Sequence, residues 1–197
     1  MKVRTTRKIL HFISIIGIAL TIWLTIYFLQ SGVFTDPTRL SRLVGNNIYL
    51  APIIFIFIQI IQVVVPIIPG GITNAAGVMI FGPIYGLIYN YIGNVIGSVI
   101  LFLLGRKYGK MFVLALIGEK AFDKYIGKIG DSKKWSVFFT FMMFFPLSPD
   151  DALVLMNALT NMSFKKYMLI MSAGKLVSVA SYSYMLVAFG HVVASFM

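Results

Sequence analysis

The chain has no cysteine, two histidines and six acidic residues. Without cysteine there is no disulfide, no thiolate metal site and no cysteine nucleophile. The two histidines, His11 and His191, lie at the ends of apolar runs, which suits an interfacial place better than a catalytic one, and a histidine-rich metal site is not expected. Charged residues make up 12% of the sequence, against about 25% in a soluble globular domain. No HExxH, G-x-S-x-G or Walker motif is present. What is there is apolar: 59% of the 197 residues are hydrophobic, 15% are aromatic, and the mean hydropathy is +0.90. This balance excludes a disordered chain, weighs heavily against a soluble enzyme and predicts an integral membrane protein of one domain.

The net charge of +11 raises the question of nucleic acid. Its distribution answers otherwise. Lys2, Arg4, Arg7 and Lys8 precede the first apolar run, eight more cations lie between Arg106 and Lys134, and Lys165 and Lys166 mark a third polar break. Cations that cluster beside hydrophobic spans are topology markers and contacts for anionic lipid, and no nucleic-acid-binding module is visible.

Four regions follow. Residues 1–47 hold an anchor helix over 9–29, long enough to cross a hydrocarbon core of about 30 Å, and a polar outer loop. It is too long for a signal-peptide core and lacks an A-x-A-like cleavage site. Residues 48–104 hold an apolar run that breaks at Pro66, Pro69, Gly70 and Gly71, a short stretch to Phe81, and a full span over 84–104. Residues 105–134 form the basic segment, read as an amphipathic helix on the anionic inner leaflet or as a solvated loop. Residues 135–197 hold a short apolar piece, a break at Pro146 and Pro149, a second short piece and a last full span over 167–190. The P-x-x-P of the first break thus recurs in the second, in the same setting. Short, Pro/Gly-interrupted segments at matching places in two halves point to a transporter-type site.

If both broken segments are re-entrant hairpins, the positive-inside rule places every basic cluster in the cytoplasm. The first hairpin then enters from outside and the second from inside. The expected fold is all-α and integral to the membrane: about three full transmembrane helices plus two opposed re-entrant helical hairpins in an inverted repeat. The expected place is the plasma (inner) membrane, multi-pass, with the N-terminus cytoplasmic and the C-terminus outside.

These motifs resemble the DedA / SNARE-associated Golgi superfamily, the VTT-domain family. The likeness runs over residues 48–190. It rests on Pro69-Gly70-Gly71, Gly77, Phe81-Gly82, Gly93, Gly97, Gly105-Arg106 and Gly109. In the second half it rests on Pro146-Leu147-Ser148-Pro149-Asp150-Asp151, Ala158-Leu159-Thr160 and Ser163-Phe164-Lys165-Lys166. The resemblance implies opposed re-entrant hairpins and a role in moving lipids across membranes: undecaprenyl phosphate recycling and envelope homeostasis in bacterial members, phospholipid scrambling in eukaryotic ones. Gln59, Gln62 and Gly71 stand where narrow-sense DedA members carry an acid, and Phe141 to Phe145 where many relatives carry an Arg. The likeness is therefore nearer to the Golgi-type branch.

Six acids in an apolar chain make each one informative. Asp150 and Asp151 follow Pro149, where the second half-helix starts. Negative charge there is favourable. For Asp150, helix capping and a functional role stay equally open. For Asp151 a proton or cation site or a salt bridge is favoured, since carboxylates at membrane depth face cavities or partners. Lys175 lies about 13 Å deeper along its span than Lys166 at 1.5 Å per residue. An ion pair with Asp151 or Asp150 is the preferred reading, and direct lipid-phosphate contact the second. Arg106 is read as a snorkelling anchor or, favoured by the resemblance and its charge, as a bidentate contact for lipid phosphate. Gly70, Gly71 and Asn74 are read as the turn of the first hairpin, with backbone N–H groups that hold an anion or as a plain tight turn. Asn90 and Asn94 share one face of the first full span, as a polar path or as packing glue. Asn157 and Asn161 are read as intramembrane hydrogen-bonders.

The leading expectation is a transporter or scramblase for a phosphate-bearing lipid, a phospholipid or a polyprenyl phosphate. Arg106, Lys175 and hairpin N–H groups would carry the head group, and protonation of Asp151 would gate the Lys175 pair. A proton-coupled ion or small-solute transporter and a non-transport envelope interaction protein are the alternatives. An intramembrane aspartyl protease is disfavoured, because adjacent residues on one turn are not facing carboxylates. No enzyme activity, cofactor, metal or nucleic acid is expected. The expected partners are membrane lipids, anionic phospholipid or polyprenyl phosphate among them, and a second copy in a homodimer.

Overall fold

The computed structural model describes residues 50–64, 70–146 and 148–195, with side chains described at 50–64, 73–146 and 148–185. The anchor helix, the outer loop, Pro66, Pro69 and the side chain of His191 lie outside these residues. The described chain is helical, with no strand among the described residues. Its elements are α1 (Leu50–Val64), α2 (Gly70–Ile126), α3 (Ser132–Phe144), α4 (Asp150–Ala158) and α5 (Phe164–Ser195).

α2 is not one rod. Its backbone leaves helical geometry at Gly82 (φ 80°, ψ 171°), Gly109 and Gly118. At Gly82 the chain folds back on itself. In a continuous helix Asn74 and Asn90 would stand about 24 Å apart, yet Asn90 Nδ2 donates to the Asn74 carbonyl at 2.8 Å. Only glycine adopts that positive φ without a Cβ penalty, and Pro83 removes the next N–H. The two arms then close tightly. A Cβ on Gly86 would stand 2.5 Å from the Gly77 carbonyl oxygen and 2.7 Å from Val78 Cα. Backbone cannot step aside there, so Gly86→Ala is expected to cost about 1–3 kcal/mol, seen as a lower unfolding temperature in detergent.

The short arm 70–81 therefore runs antiparallel to α1 and to the long arm 83–108. Gly93 and Gly97 on the long arm admit Gln59 and Val63 of α1, with would-be Cβ contacts of 2.5 and 2.7 Å. At about 38 Å by helical rise, the arm 83–108 exceeds the hydrocarbon thickness. It lies within the one helix among the described residues that is long and apolar enough to cross a membrane.

The second half repeats the order of a short helix, a break, a shorter helix and a long one. Asp131 caps α3 by accepting from the Lys133 and Lys134 N–H groups at 3.1 Å each. Ser163 Oγ accepts from the Lys166 N–H at the start of α5, which gives the Ser163-Phe164-Lys165-Lys166 motif a capping role. Gly174 of α5 admits Met143 of α3 as Gly97 admits Val63. The α1 hairpin opens at the Gly82 end of the molecule. The α3–α4 hairpin opens at the other end, where Arg106 reaches the chain just past α4 and Trp135 bonds Asn157.

The main core fills the second half and its junction with the long arm, with Phe102, Trp135, Phe139, Leu153, Leu155 and Tyr167 all fully buried. Tyr167 stacks on Phe102 at 3.9 Å and donates its hydroxyl to the Ser98 carbonyl at 2.8 Å. The basic segment is helical through Ile126 apart from the turns at Gly109 and Gly118. Part of its apolar side packs on the protein, with Val113, Phe122 and Tyr125 buried in the core, while Met111 stays exposed. Burial against the protein removes those side chains from water as well as lipid would, and the sequence pattern is the same for both.

Candidate functional site

Six polar side chains inside the described helices, Gln59, Asn74, Asn90, Asn94, Lys175 and Asp150, form one connected chain that crosses from the first half to the second. It begins at Gln59 of α1, which is fully buried. Gln59 Nε2 donates to Asn74 Oδ1 at 3.0 Å and to Asn90 Oδ1 at 2.6 Å. Asn94 Nδ2 donates to the same Asn74 oxygen at 3.0 Å and to the Asn90 carbonyl at 2.8 Å. Asn94 Oδ1 in turn accepts from Lys175 Nζ at 3.3 Å. Lys175 is 2% exposed and forms an ion pair with Asp150. Asp150 Oδ1 accepts the Asp151 N–H at 3.0 Å. Asp151 Oδ1 is buried with no hydrogen-bond partner, as is Gln59 Oε1 at the far end. Beside this chain, Thr73 bonds Gln62, tying the short arm to the last turn of α1.

The local reasons are plain. Helical spacing puts Asn90 and Asn94 on one face. The reversal at Gly82 lays Asn74 against them. The break before α4 sets Asp150 in its first turn, where the helix dipole favours an anion, facing Lys175 of α5. The side chain of Asp150 is 30% exposed and that of Lys175 is 3%. The pair is closed on the lysine side and open on the aspartate side.

Several expectations change. The N-cap of α4 is Pro149, which makes no side-chain cap bond; Asp150, one position on, divides its carboxylate, with Oδ1 accepting the first-turn Asp151 N–H and Oδ2 pairing with Lys175. Lys175 takes Asp150 rather than Asp151. Gly70 and Gly71 open α2 as helical residues, so they do not form the turn. Asn74, one helical turn further on, is the hub of the amide cluster instead of an anion-holding turn residue. Asn90 and Asn94 both glue the arms and continue the polar chain. Asn157 accepts from Trp135 Nε1 at 2.9 Å, whereas Asn161 lies exposed between α4 and α5. Pro146 and Pro149 bracket the α3–α4 break.

Arg106 stands apart from the chain. Its Nη2 donates to the Thr160 and Met162 carbonyls at 2.8 Å each, and Nε to the Ala158 carbonyl at 3.4 Å. The guanidinium also sits 4.7 Å from the Phe102 ring centroid. It satisfies carbonyls at the C-terminal end of α4, where helix-end carbonyls lack partners and the dipole favours a cation. Arg106→Ala is expected to lower stability by about 1–2 kcal/mol. Arg106→Lys recovers only part, since one ammonium cannot reproduce the planar fork. Thermal unfolding of the three proteins checks this.

Gln59 carries the weakest sequence signal of the site. Two glutamines, Gln59 and Gln62, in an otherwise apolar run are what points to it, because a buried amide needs partners.

A family model for the VTT domain matches residues 68–188, from the start of α2 through most of α5. The chain belongs to the VTT-domain family. The match covers more than half of the sequence and takes in the second half of the first break, the whole of the second, the long arm and the Lys175–Asp150 pair. No curated protein and no solved structure matches the chain. As a VTT-domain protein of the DedA/SNARE-associated kind, it is a membrane protein of a transporter-like family. The apolar arm 83–108 agrees with that assignment.

Proposed function

We propose that this VTT-domain protein transports a phosphate-bearing lipid, a phospholipid or a polyprenyl phosphate, across the bilayer by scrambling or flipping, in support of envelope homeostasis. The observation that carries the reading is the buried Lys175–Asp150 pair, set where the two hairpins meet and continued by Asn94 into the amide cluster. A charge that deep is costly, and a substrate path is the usual reason for one.

The two hairpins enter the membrane from opposite faces, with the basic end cytoplasmic, and leave a thin polar layer at mid-depth. A lipid phosphate reaches Lys175 from the open side of Asp150 and takes the place of the carboxylate. The Asn74 amide N–H groups offer further hydrogen bonds, and the acyl tails stay in lipid. The role of the protein is that of a carrier path and not of an enzyme. Its partners are membrane lipids, and a homodimer completes the path. The amides at Gln59 and Gln62 support a kinship with the Golgi-type branch. A second reading, proton-coupled ion or small-solute transport, has one observation in its favour: the unpartnered buried oxygen of Asp151 next to the pair.

The test is lipid flipping in proteoliposomes, with fluorescent phospholipid and a polyprenyl phosphate side by side. Flipping above the protein-free rate, lost with Lys175, is the expected result. Ion flux without lipid redistribution would favour the second reading and end the first.

A further inference from the structure

We propose that the outward face of α3 is a docking groove for a single anionic phospholipid, held by Lys133 and Lys134 at its head and by Val137, Phe141 and Phe144 along its length. The inference rests on the transport reading for the use of the groove, since it names the side from which lipid reaches the Lys175 site.

α3 is apolar on both faces. Trp135, Phe139 and Met143 point into the core. Val137 and Phe141, at 72% and 70% exposure, point away from it. Along this outer face run two adjoining shallow, open hollows of about 530 and 430 Å³, one lined by Lys133, Lys134 and Phe138, the other by Ser136, Thr140 and Phe144, with Val137 and Phe141 common to both. The Thr140 hydroxyl is turned inward, donating to the Ser136 carbonyl at 2.8 Å, so the groove wall presents little unmet polarity.

The two ends differ in a way that matches a lipid and no simpler apolar occupant. At the head, Lys133 and Lys134 are exposed, and Lys128 lies 4.6 Å from the Phe138 ring centroid. Asp131 offsets one charge through a 3.5 Å contact with Lys134, which leaves the head basic. At the foot, Phe144 and Phe145 adjoin the break before Asp150. From Lys133 to Phe144 the helix rises about 16 Å, close to half of a hydrocarbon core of roughly 30 Å. An acyl chain lying along the face would therefore span one leaflet, with its phosphate at the cations and its tail end beside the hairpin break that carries the ion pair.

The probe is phosphatidylglycerol against phosphatidylcholine, presented to the full chain in nanodiscs and read as lipid retained in native mass spectra. One phosphatidylglycerol retained in preference to phosphatidylcholine is the expected result for the wild type. Lys133→Glu/Lys134→Glu is expected to weaken retention about tenfold or more, while Lys120→Glu/Lys124→Glu, the same charge change in the same basic segment, leaves it within about twofold. Equal losses in the two double variants would mean unspecific attraction and would overturn the groove. Because the chain has no cysteine, Val137→Cys adds a single probe. A disulfide between copies at that position, or within one chain to Gly17→Cys, would show a second copy or the N-terminal segment as the occupant and would also overturn it. Retention with no flipping in the wild type would sink the transport reading and leave the groove standing. Flipping with retention indifferent to Lys133 and Lys134 would do the reverse.

Discussion

Replacing Lys175 with methionine is expected to bring lipid flipping down to the rate of protein-free vesicles and to destabilise the fold by about 3–5 kcal/mol. The large structural cost comes from Asp150. Its carboxylate loses the cation that compensates it and stays part-buried at the start of α4. The two effects separate in the double variant Lys175→Met/Asp150→Leu. Exchanging both members of a buried pair for apolar groups is often neutral or stabilising by about 1–4 kcal/mol, so its unfolding temperature should return to that of the wild type or pass it. Flipping should stay at background, because no cation remains at mid-depth. A double variant that is stable and still flips lipid would remove Lys175 from the mechanism. Asp150→Asn forms the other control. It keeps acceptor oxygens for the Lys175 ammonium at positions 150 and 94 but removes the paired negative charge, and a loss of stability of similar size is expected.

The second large effect is expected at Asn94, the residue that joins the halves. Its amide nitrogen donates to Asn74 and to the Asn90 carbonyl, and its oxygen accepts from Lys175. Asn94→Leu keeps the volume and removes all three bonds. Lys175 then keeps Asp150 alone, and Asn74 Oδ1 keeps Gln59 alone. With about 1–3 kcal/mol for each buried group left short of a partner, a loss of about 2–4 kcal/mol is expected by unfolding in detergent, with flipping at least about tenfold slower. Asn94→Asp removes the same two donor bonds but keeps an acceptor for Lys175. Its second carboxylate oxygen then faces the Asn74 and Asn90 oxygens, so a loss of stability of similar size is expected, and flipping falls as well, because the phosphate must now displace two anions. Equal flipping in wild type, Asn94→Leu and Asn94→Asp would show that the amide cluster is packing alone.

Much of the site was legible in the sequence because charge is so scarce in it. Lys175 could be placed deep by counting from Lys166, and its partner narrowed to two adjacent aspartates. The choice between them was not legible. Neighbouring residues on a helix point about 100° apart, and which of them meets α5 depends on how α4 enters after Pro149. Arg106 shows a second limit. A basic residue at the end of a span reads equally as an anchor, a phosphate ligand or a cap. Its three carbonyl acceptors lie far along the chain at Ala158, Thr160 and Met162, and they come within reach only when α4 packs against Gly105, whose would-be Cβ stands 2.8 Å from Ala158 Cβ. The basic segment meets a related limit: an apolar stripe records that a face is buried and not what buries it.

By itself, then, the sequence determined an all-helical membrane protein, the places where its helices break and the few charges available to a site. Composition and proline and glycine positions fix these, since they act on local backbone and on transfer from water, which need no partner. The tertiary structure alone decided that Gln59, Asn74, Asn90, Asn94, Lys175 and Asp150 form one connected chain. Hydrogen bonds and ion pairs act over a few ångströms, and residues so far apart in sequence meet only because the Gly82 reversal and the break before Asp150 bring the two hairpins together at Asn94 and Lys175.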